Sequence, residues 1–179
     1  MRIVSGKYKG RRITAPKNIP ARPTTDFAKE ALFNILNNQI FFSTIEVIDL
    51  FAGIGSISLE FASRGTKTIV AVDSHSGSCQ FIKETAEELE APIQVIQSDV
   101  FDFLNKTPII SDLIFADPPY NFEVEEVEQI TKLVKERKLL KEEGMLIIEH
   151  SKHTNLDSLH GFKEKRKYGS SSFSFFEFN

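Results

Sequence analysis

Apolar residues in this chain keep two rhythms. From residue 45 onward, short unbroken apolar runs alternate with longer segments in which apolar positions recur every three or four residues. "IEVIDLF" (45–51), "KTIVAVD" (67–73), "IQVIQSD" (93–99), "DLIFAD" (112–117) and "GMLIIEH" (144–150) are runs of the first kind. Short runs rich in Val and Ile read as strands buried on both faces. "SISLEFASRG", "GSCQFIKETAEELE", "VFDFLNK" and "EVEEVEQITKLVKERKLL" lie between them and carry helical spacing. Strands alternating with helices predict a mostly parallel, doubly wound α/β sheet. "FKEKRKYG" and "SFSFFEF" follow with no helix between them, so they are expected to pair antiparallel at one edge. That makes a seven-stranded, Rossmann-like sheet.

The first 44 residues follow a different pattern. "RIVSG" and "RRITAP" read as two short strands around Lys7-Tyr8-Lys9-Gly10. Pro16, Pro20 and Pro23 mark an extended connector. Thr25 or Asp26 then caps a helix whose Phe27, Ala28, Ala31, Leu32, Ile35 and Leu36 fall at helical spacing. We therefore divide the chain into an extension over 1–44 and a main domain over 45–179.

Charge sharpens that division. The net charge is −3, but residues 1–29 hold eight basic side chains and a single acid, Asp26. The extension is thus strongly cationic and the remainder acidic. A basic ribbon interleaved with Tyr8 and glycine points to an anionic partner, nucleic acid first; a solvated basic face is the plainer alternative. Arg2, Lys7, Lys9, Arg11, Arg12, Arg22 and Thr24 are the candidate contacts. Cys79 is the only cysteine, which excludes a disulfide framework and suggests a reducing cytosol. The four histidines lack metal-ligand spacing, so no metal is expected, and no apolar run is long enough for a membrane span. A monomer is expected.

In doubly wound sheets the ligand site lies beyond the carboxyl ends of the strands. Here four successive strands end in an acid: Asp49, Asp73, Asp99 and Asp117. Gly53-Ile54-Gly55 follows the first, where glycine lets the backbone turn tightly and approach a ligand. Asp73 lies 20 residues after Gly53 at the end of the next strand, where a carboxylate grips a ribose diol. Asp99 is a candidate acceptor for an adenine amine, and also a natural helix N-cap. A nicotinamide dinucleotide would want a third glycine, and Ser58 stands there; its pyrophosphate would also face Asp49. S-adenosylmethionine fits better, with Asp49 toward the ammonium of its methionine tail. The cofactor-facing set is then Asp49, Phe51, Gly53, Gly55, Asp73, Asp99 and Asp117.

"FADPPY" (115–120) ends the fourth strand abruptly, because proline has no N–H to continue a sheet. A conjugated exocyclic NH2 is a poor nucleophile until its lone pair is freed from the ring. The Asp117 carboxylate and the Pro118 carbonyl, held stiffly by Pro118-Pro119, can accept its two N–H bonds. Tyr120 can stack on the base and Phe122 can flank it. Guanine and adenine both present such an amine, and the motif does not separate them. An RNA-binding assembly factor without catalysis is the reading from another class; intact Asp117, Pro118 and Tyr120 argue against it.

"RIVSGKYKGRRITAP", "RPTTD", "EALFNIL", "DLFAGIGSISLEFASRG", "FADPPY" and the terminal "YGSSSFSFF", in that order, resemble the RsmD family over nearly the whole chain. These are bacterial 16S rRNA guanine-N2 methyltransferases. The resemblance implies a class I methyltransferase fold, S-adenosylmethionine, and a target guanine of the position 966 type in an assembling small subunit, in the cytoplasm. It assigns Gly53 and Gly55 to the cofactor loop, Asp73 to the ribose, Asp99 to the adenine and Asp117, Pro118, Pro119 and Tyr120 to the target base. It places Arg22, Pro23 and Thr24 near the active-site entrance. Relatives tend to carry arginines where Phe27 and Ala28 stand here, and Lys29 is the cation expected to replace them in part.

Overall fold

The structure is a computed structural model that describes residues 1–20 and 24–178. The parallel strands are β1 (Glu46–Leu50), β2 (Thr68–Asp73), β3 (Ile93–Gln97), β4 (Ser111–Ala116) and β5 (Leu140–Ser151). β6 (Phe162–Tyr168) and β7 (Ser171–Phe176) complete one seven-stranded sheet in the order β3-β2-β1-β4-β5-β7-β6. β7 runs antiparallel to both its neighbours, so the edge pair forms as its sequence predicts. The helices are α1 (Asp26–Leu36), α2 (Ser56–Ser63), α3 (Ser76–Leu89), α4 (Val100–Lys106) and α5 (Val124–Glu136).

Both faces of the sheet are covered, which is why its strands read as unbroken apolar runs. Neighbouring residues point to opposite faces. Val47, Leu113, Phe115, Ile147 and Phe173 pack on one side with Leu32, Phe33 and Phe61. Ile48, Leu50, Ile114, Leu146 and Ile148 pack on the other with Leu104, Val127 and Ile130. Helix α1 starts where expected, with the Thr25 hydroxyl accepting from Ala28 N at 3.2 Å.

The extension contributes Ile3, Tyr8, Leu32 and Leu36 to the first of those layers. Its hairpin closes through one antiparallel bridge, Arg2 with Arg12, shorter than the two strands its sequence predicts. The reason lies in where its backbone donors go. Val4 N and Ser5 N donate to the Glu60 carboxylate, at 2.9 and 3.1 Å. Lys7 N donates to the Ser63 carbonyl at 2.6 Å, and Tyr8 N to Ser63 Oγ at 2.9 Å. Helix α2 takes the place of a strand partner.

Lys29 corrects an expectation from the sequence. It is fully buried, 3.6 Å from Glu60, and donates to the Arg2 carbonyl at 2.6 Å and to Ser56 Oγ at 3.3 Å. An RNA contact in place of missing arginines is therefore closed to it. Glu60 also accepts from Arg64 Nε at 3.0 Å. The three side chains form a buried charged cluster that fastens the extension and α1 to α2. No helix among the described residues is long and apolar enough to cross a membrane.

Candidate active site

β1 pairs with β2 on one side and β4 on the other, so the chain leaves the adjacent ends of β1 and β4 in opposite directions. That is the topological switch point, where such sheets open a crevice. A cleft of about 420 Å³ lies there. Phe51, Gly53, Asp73 and His75 line one part of it; Asp117 to Tyr120, Glu149, Thr24 and Ser171 line the other.

The glycine loop is tied to the acid of the next strand. Gly53 N donates to Asp73 Oδ2 at 2.8 Å, and His75 N donates to Asp73 Oδ1 at 2.9 Å. Each carboxylate oxygen has a second lone pair, so Asp73 can still accept from a bound diol. His75 then accepts from Ser78 N at 3.0 Å through Nδ1 and caps α3. Gly55 sits at φ 77 as the N-cap of α2, and a Cβ there would lie 3.1 Å from Ile82. Left-handed backbone and close packing both require glycine. Phe51 also takes a positive φ, 57, which costs a non-glycine residue about 1 kcal/mol or more. Its ring meets Phe122 edge-on at 5.5 Å, and Phe122 stacks on Phe101 at 6.1 Å. Three phenylalanines thus pack together between the glycine loop, the β4 turn and α4, and Phe51 among them lines the cleft.

Asp49 is buried behind the loop, in a small cavity shared with Gly53, Thr24 and Asp117. Its Oδ2 accepts from Ser58 N at 3.0 Å and from Ser58 Oγ at 2.5 Å. Burial raises its pKa to about 7; the two Ser58 bonds oppose the rise and nearby Asp73 adds to it. Ser58, where a third glycine was the expectation for a dinucleotide site, is a bonded partner of this acid.

The Asp117 turn is tied by a backbone hydrogen bond at each end. Asp117 N makes a last, long bond of 3.4 Å to the Leu50 carbonyl, and Phe122 N closes the turn on the Pro119 carbonyl at 2.9 Å. Pro118 is buried, while Pro119 and Tyr120 are exposed at the mouth. Glu149, in β5, is buried and accepts from the Thr24 hydroxyl at 2.8 Å.

One cleft thus brings together Phe51, Gly53, Asp73, Asp117, Pro118, Pro119, Tyr120 and Thr24, with Asp49 and Gly55 directly behind. Asp99 is the N-cap of α4, accepting from Asp102 N at 3.0 Å, and is not among the described residues that line the cleft. Arg2, Lys7, Lys9, Arg11 and Arg12 are exposed. Arg11 meets Glu88 at 3.3 Å, and Lys7 lies over the Tyr8 ring at 5.3 Å. Arg22 falls outside the described residues. Arg2 N bonds Asp26 near the cleft rim and Arg12 is bridged to Arg2, whereas Lys7 sits at the far end of α2, so the tip of the basic hairpin lies farther from the cleft by about 12 Å, the length of that eight-residue helix.

Sequence reasoning passed over Glu149, Phe101, His75 and the partnership of Ser58 with Asp49. Glu149 carried the same signal as its neighbours, an acid at the end of an apolar strand.

Known proteins resemble this chain in sequence and in fold. The family model described as conserved hypothetical protein 95 matches residues 1–177. Ribosomal RNA small subunit methyltransferase D of Escherichia coli K12 is 29% identical over 161 residues, covering 89% of this chain and 79% of that one. Hypothetical protein TTHA0928 of Thermus thermophilus superposes with a TM-score of 0.85 at 25% identity, over 99% of both chains. The T. thermophilus 16S rRNA N2 G1207 methyltransferase RsmC, solved with AdoMet and guanosine, shares the fold with a TM-score of 0.70 at 22% identity; the match covers 87% of this chain and 44% of that one. The class I methyltransferase fold is therefore the fold of this chain.

Proposed function

The chain belongs to the conserved hypothetical protein 95 family, the RsmD family that its motifs resemble, and on that premise we propose that it methylates the exocyclic N2 amine of a guanine in small-subunit ribosomal RNA, of the position 966 type, using S-adenosylmethionine. One observation carries the reading: a single cleft is lined both by the glycine loop with Asp73 and by the Asp117–Tyr120 turn. The names of the Escherichia coli relative and of the RsmC structure support the RNA and the guanine.

The donor set suits the cofactor: a ribose-gripping carboxylate at a strand end, glycines for close backbone approach, and a buried acid that gains from a cation. S-adenosylmethionine bound there would supply an electrophilic sulfonium methyl, with sulfur as the leaving group that keeps the electron pair. Asp73 would hold its ribose and Asp49 would face its ammonium end. Asp117 and the Pro118 carbonyl accept the two N2–H bonds, which draws the lone pair out of conjugation and toward the methyl. Asp117 then takes the surplus N2 proton and passes it to water. Tyr120, 60% exposed at the mouth, offers its face to a base turned out of its stack.

The extension over 1–44 is the RNA-contacting part. Arg2, Lys7, Lys9, Arg11 and Arg12 offer phosphate contacts along the line of α2. Phe27 is 65% exposed and meets Tyr168 edge-on at 6.4 Å, an aromatic pair on which an unpaired base can stack.

Two measurements test the reading. S-adenosylhomocysteine is expected to raise the melting temperature and NAD to leave it unchanged; the reverse would replace the methyltransferase by an oxidoreductase. Asp117→Ala is expected to abolish transfer to small-subunit rRNA while keeping S-adenosylhomocysteine binding, and undiminished turnover would remove Asp117 from its role.

A further inference from the structure

The Asp117–Pro118 turn accepts from an amine and is blind to the base that carries it. The residue beside it is not. Ala116 of β4 pairs with Ile148 of β5, so Asp117 and Glu149 are the next residues on adjacent strands, about 5 Å apart along the sheet. Both face the main cleft, and both line a second small cavity behind the turn with His150. Glu149 is 5% exposed. A carboxylate that deep is costly unless donors meet it. Thr24 supplies one, donating to Oε2 at 2.8 Å beside the cleft that both residues line.

Guanine and adenine differ at the position that such a group would meet. Beside its 2-amine, guanine carries N1–H, a donor; adenine carries a bare N1, an acceptor. An ionised carboxylate only accepts. We propose that Glu149 is the specificity-determining residue of the site, its carboxylate accepting the N1–H of the target guanine while Asp117 and the Pro118 carbonyl accept the N2 hydrogens. This rests on reading the cleft as an amino-methyltransferase site. A base with an acceptor at N1 sets two lone pairs against each other in a buried place, and sites built around such a hydrogen bond reject the mismatched analogue far more strongly than a shape difference would.

The test uses small-subunit rRNA assembled with either guanosine or 2-aminopurine riboside at the methylated position. 2-Aminopurine keeps the 2-amine but has a bare N1 and no O6. Single-turnover transfer of labelled methyl is measured for the wild type and for Glu149→Gln, whose amide can accept from N1–H or donate to a bare N1. The wild type is expected to prefer guanosine by a factor of about 100 or more. Glu149→Gln is expected to shrink that ratio at least tenfold, with S-adenosylhomocysteine binding at wild-type strength. Thr24→Val, which removes the donor to Oε2 but keeps the carboxylate, is expected to shrink it in the same direction by less. If both variants slow the two substrates by one common factor, Glu149 is structural and the proposal is overturned. If the wild type labels neither base at N2, the amino-methyltransferase reading itself has failed, and the proposal with it.

Discussion

Asp49→Asn should make the ligand-free protein more stable, by an amount that grows with pH. The carboxyl of Asp49 moves from an ordinary 3.8 to about 7 on folding, chiefly through burial. Its folded pKa lies above its unfolded one, so the folded state holds the proton more tightly. The stability this contributes is complete below pH 3.8 and is lost as pH rises to about 7. At 1.36 kcal/mol per pH unit, ionising Asp49 in place costs about 4 kcal/mol by pH 8, against roughly half a kcal/mol at pH 4. Asparagine can keep both bonds from Ser58 by its carbonyl and never ionises. Its NH2 group must find an acceptor, which offsets the gain by a constant, so the test is the slope and not the intercept. His150, whose pKa burial lowers, contributes with the opposite sign, losing stability as pH falls through 6.5; it is common to both proteins and cancels in their difference. Urea unfolding of wild type and variant at pH 4, 6 and 8 gives that difference directly. An advantage for the variant that grows by about 2–4 kcal/mol across the range, or on the order of 10 °C in melting temperature, is expected. The variant should also bind S-adenosylmethionine roughly tenfold to a hundredfold more weakly, since a charge-assisted hydrogen bond is lost. A difference that stays flat from pH 4 to 8 would mean that burial does not raise the Asp49 carboxyl on folding.

Lys29→Met should lower unfolding stability by about 2–3 kcal/mol, at the mild end for a broken buried ion pair, because Glu60 keeps Arg64 and the amides of Val4 and Ser5; a urea midpoint equal to wild type would contradict this. Gly55→Ala should cost about 1–2 kcal/mol for the left-handed backbone, with added strain against Ile82, and should weaken S-adenosylhomocysteine binding measured by calorimetry. Arg12→Glu should reduce RNA affinity more than cofactor affinity and lower the slope of log K against log salt by about 1; equal loss of both would detach the extension from RNA.

Much of this was legible in the sequence because both faces of the sheet are covered. Continuous apolar runs such as "TIVAV" and "LIIE" mark buried parallel strands, and the connections between them follow from chain order. The glycine loop, Asp73 and the Asp117 turn were readable for a related reason: each lies just after a strand, where a doubly wound sheet keeps its ligand. Less legible was anything that depends on residues far apart in sequence. Lys29 looks like one more cation of a basic ribbon until Glu60 is seen to meet it. Ser58 looks like a missing glycine until its hydroxyl is found on Asp49. The two strands of the N-terminal hairpin could not be distinguished from a segment whose amides are satisfied by a helix, since sequence pattern does not name the partner. Glu149 was within reach, as a further acid ending a strand, but its bond to Thr24 spans 125 residues.

The proposed reaction puts a methyl group on one kind of nitrogen in one kind of RNA. The most direct measurement incubates the protein and labelled S-adenosylmethionine with small ribosomal subunits that lack the modification, then maps the label by mass spectrometry. A single N2-methylguanosine in 16S rRNA, at the position 966 type of site, is expected, and none with Asp117→Ala. Label confined to DNA or tRNA, or placed on adenine, would contradict the proposed reaction.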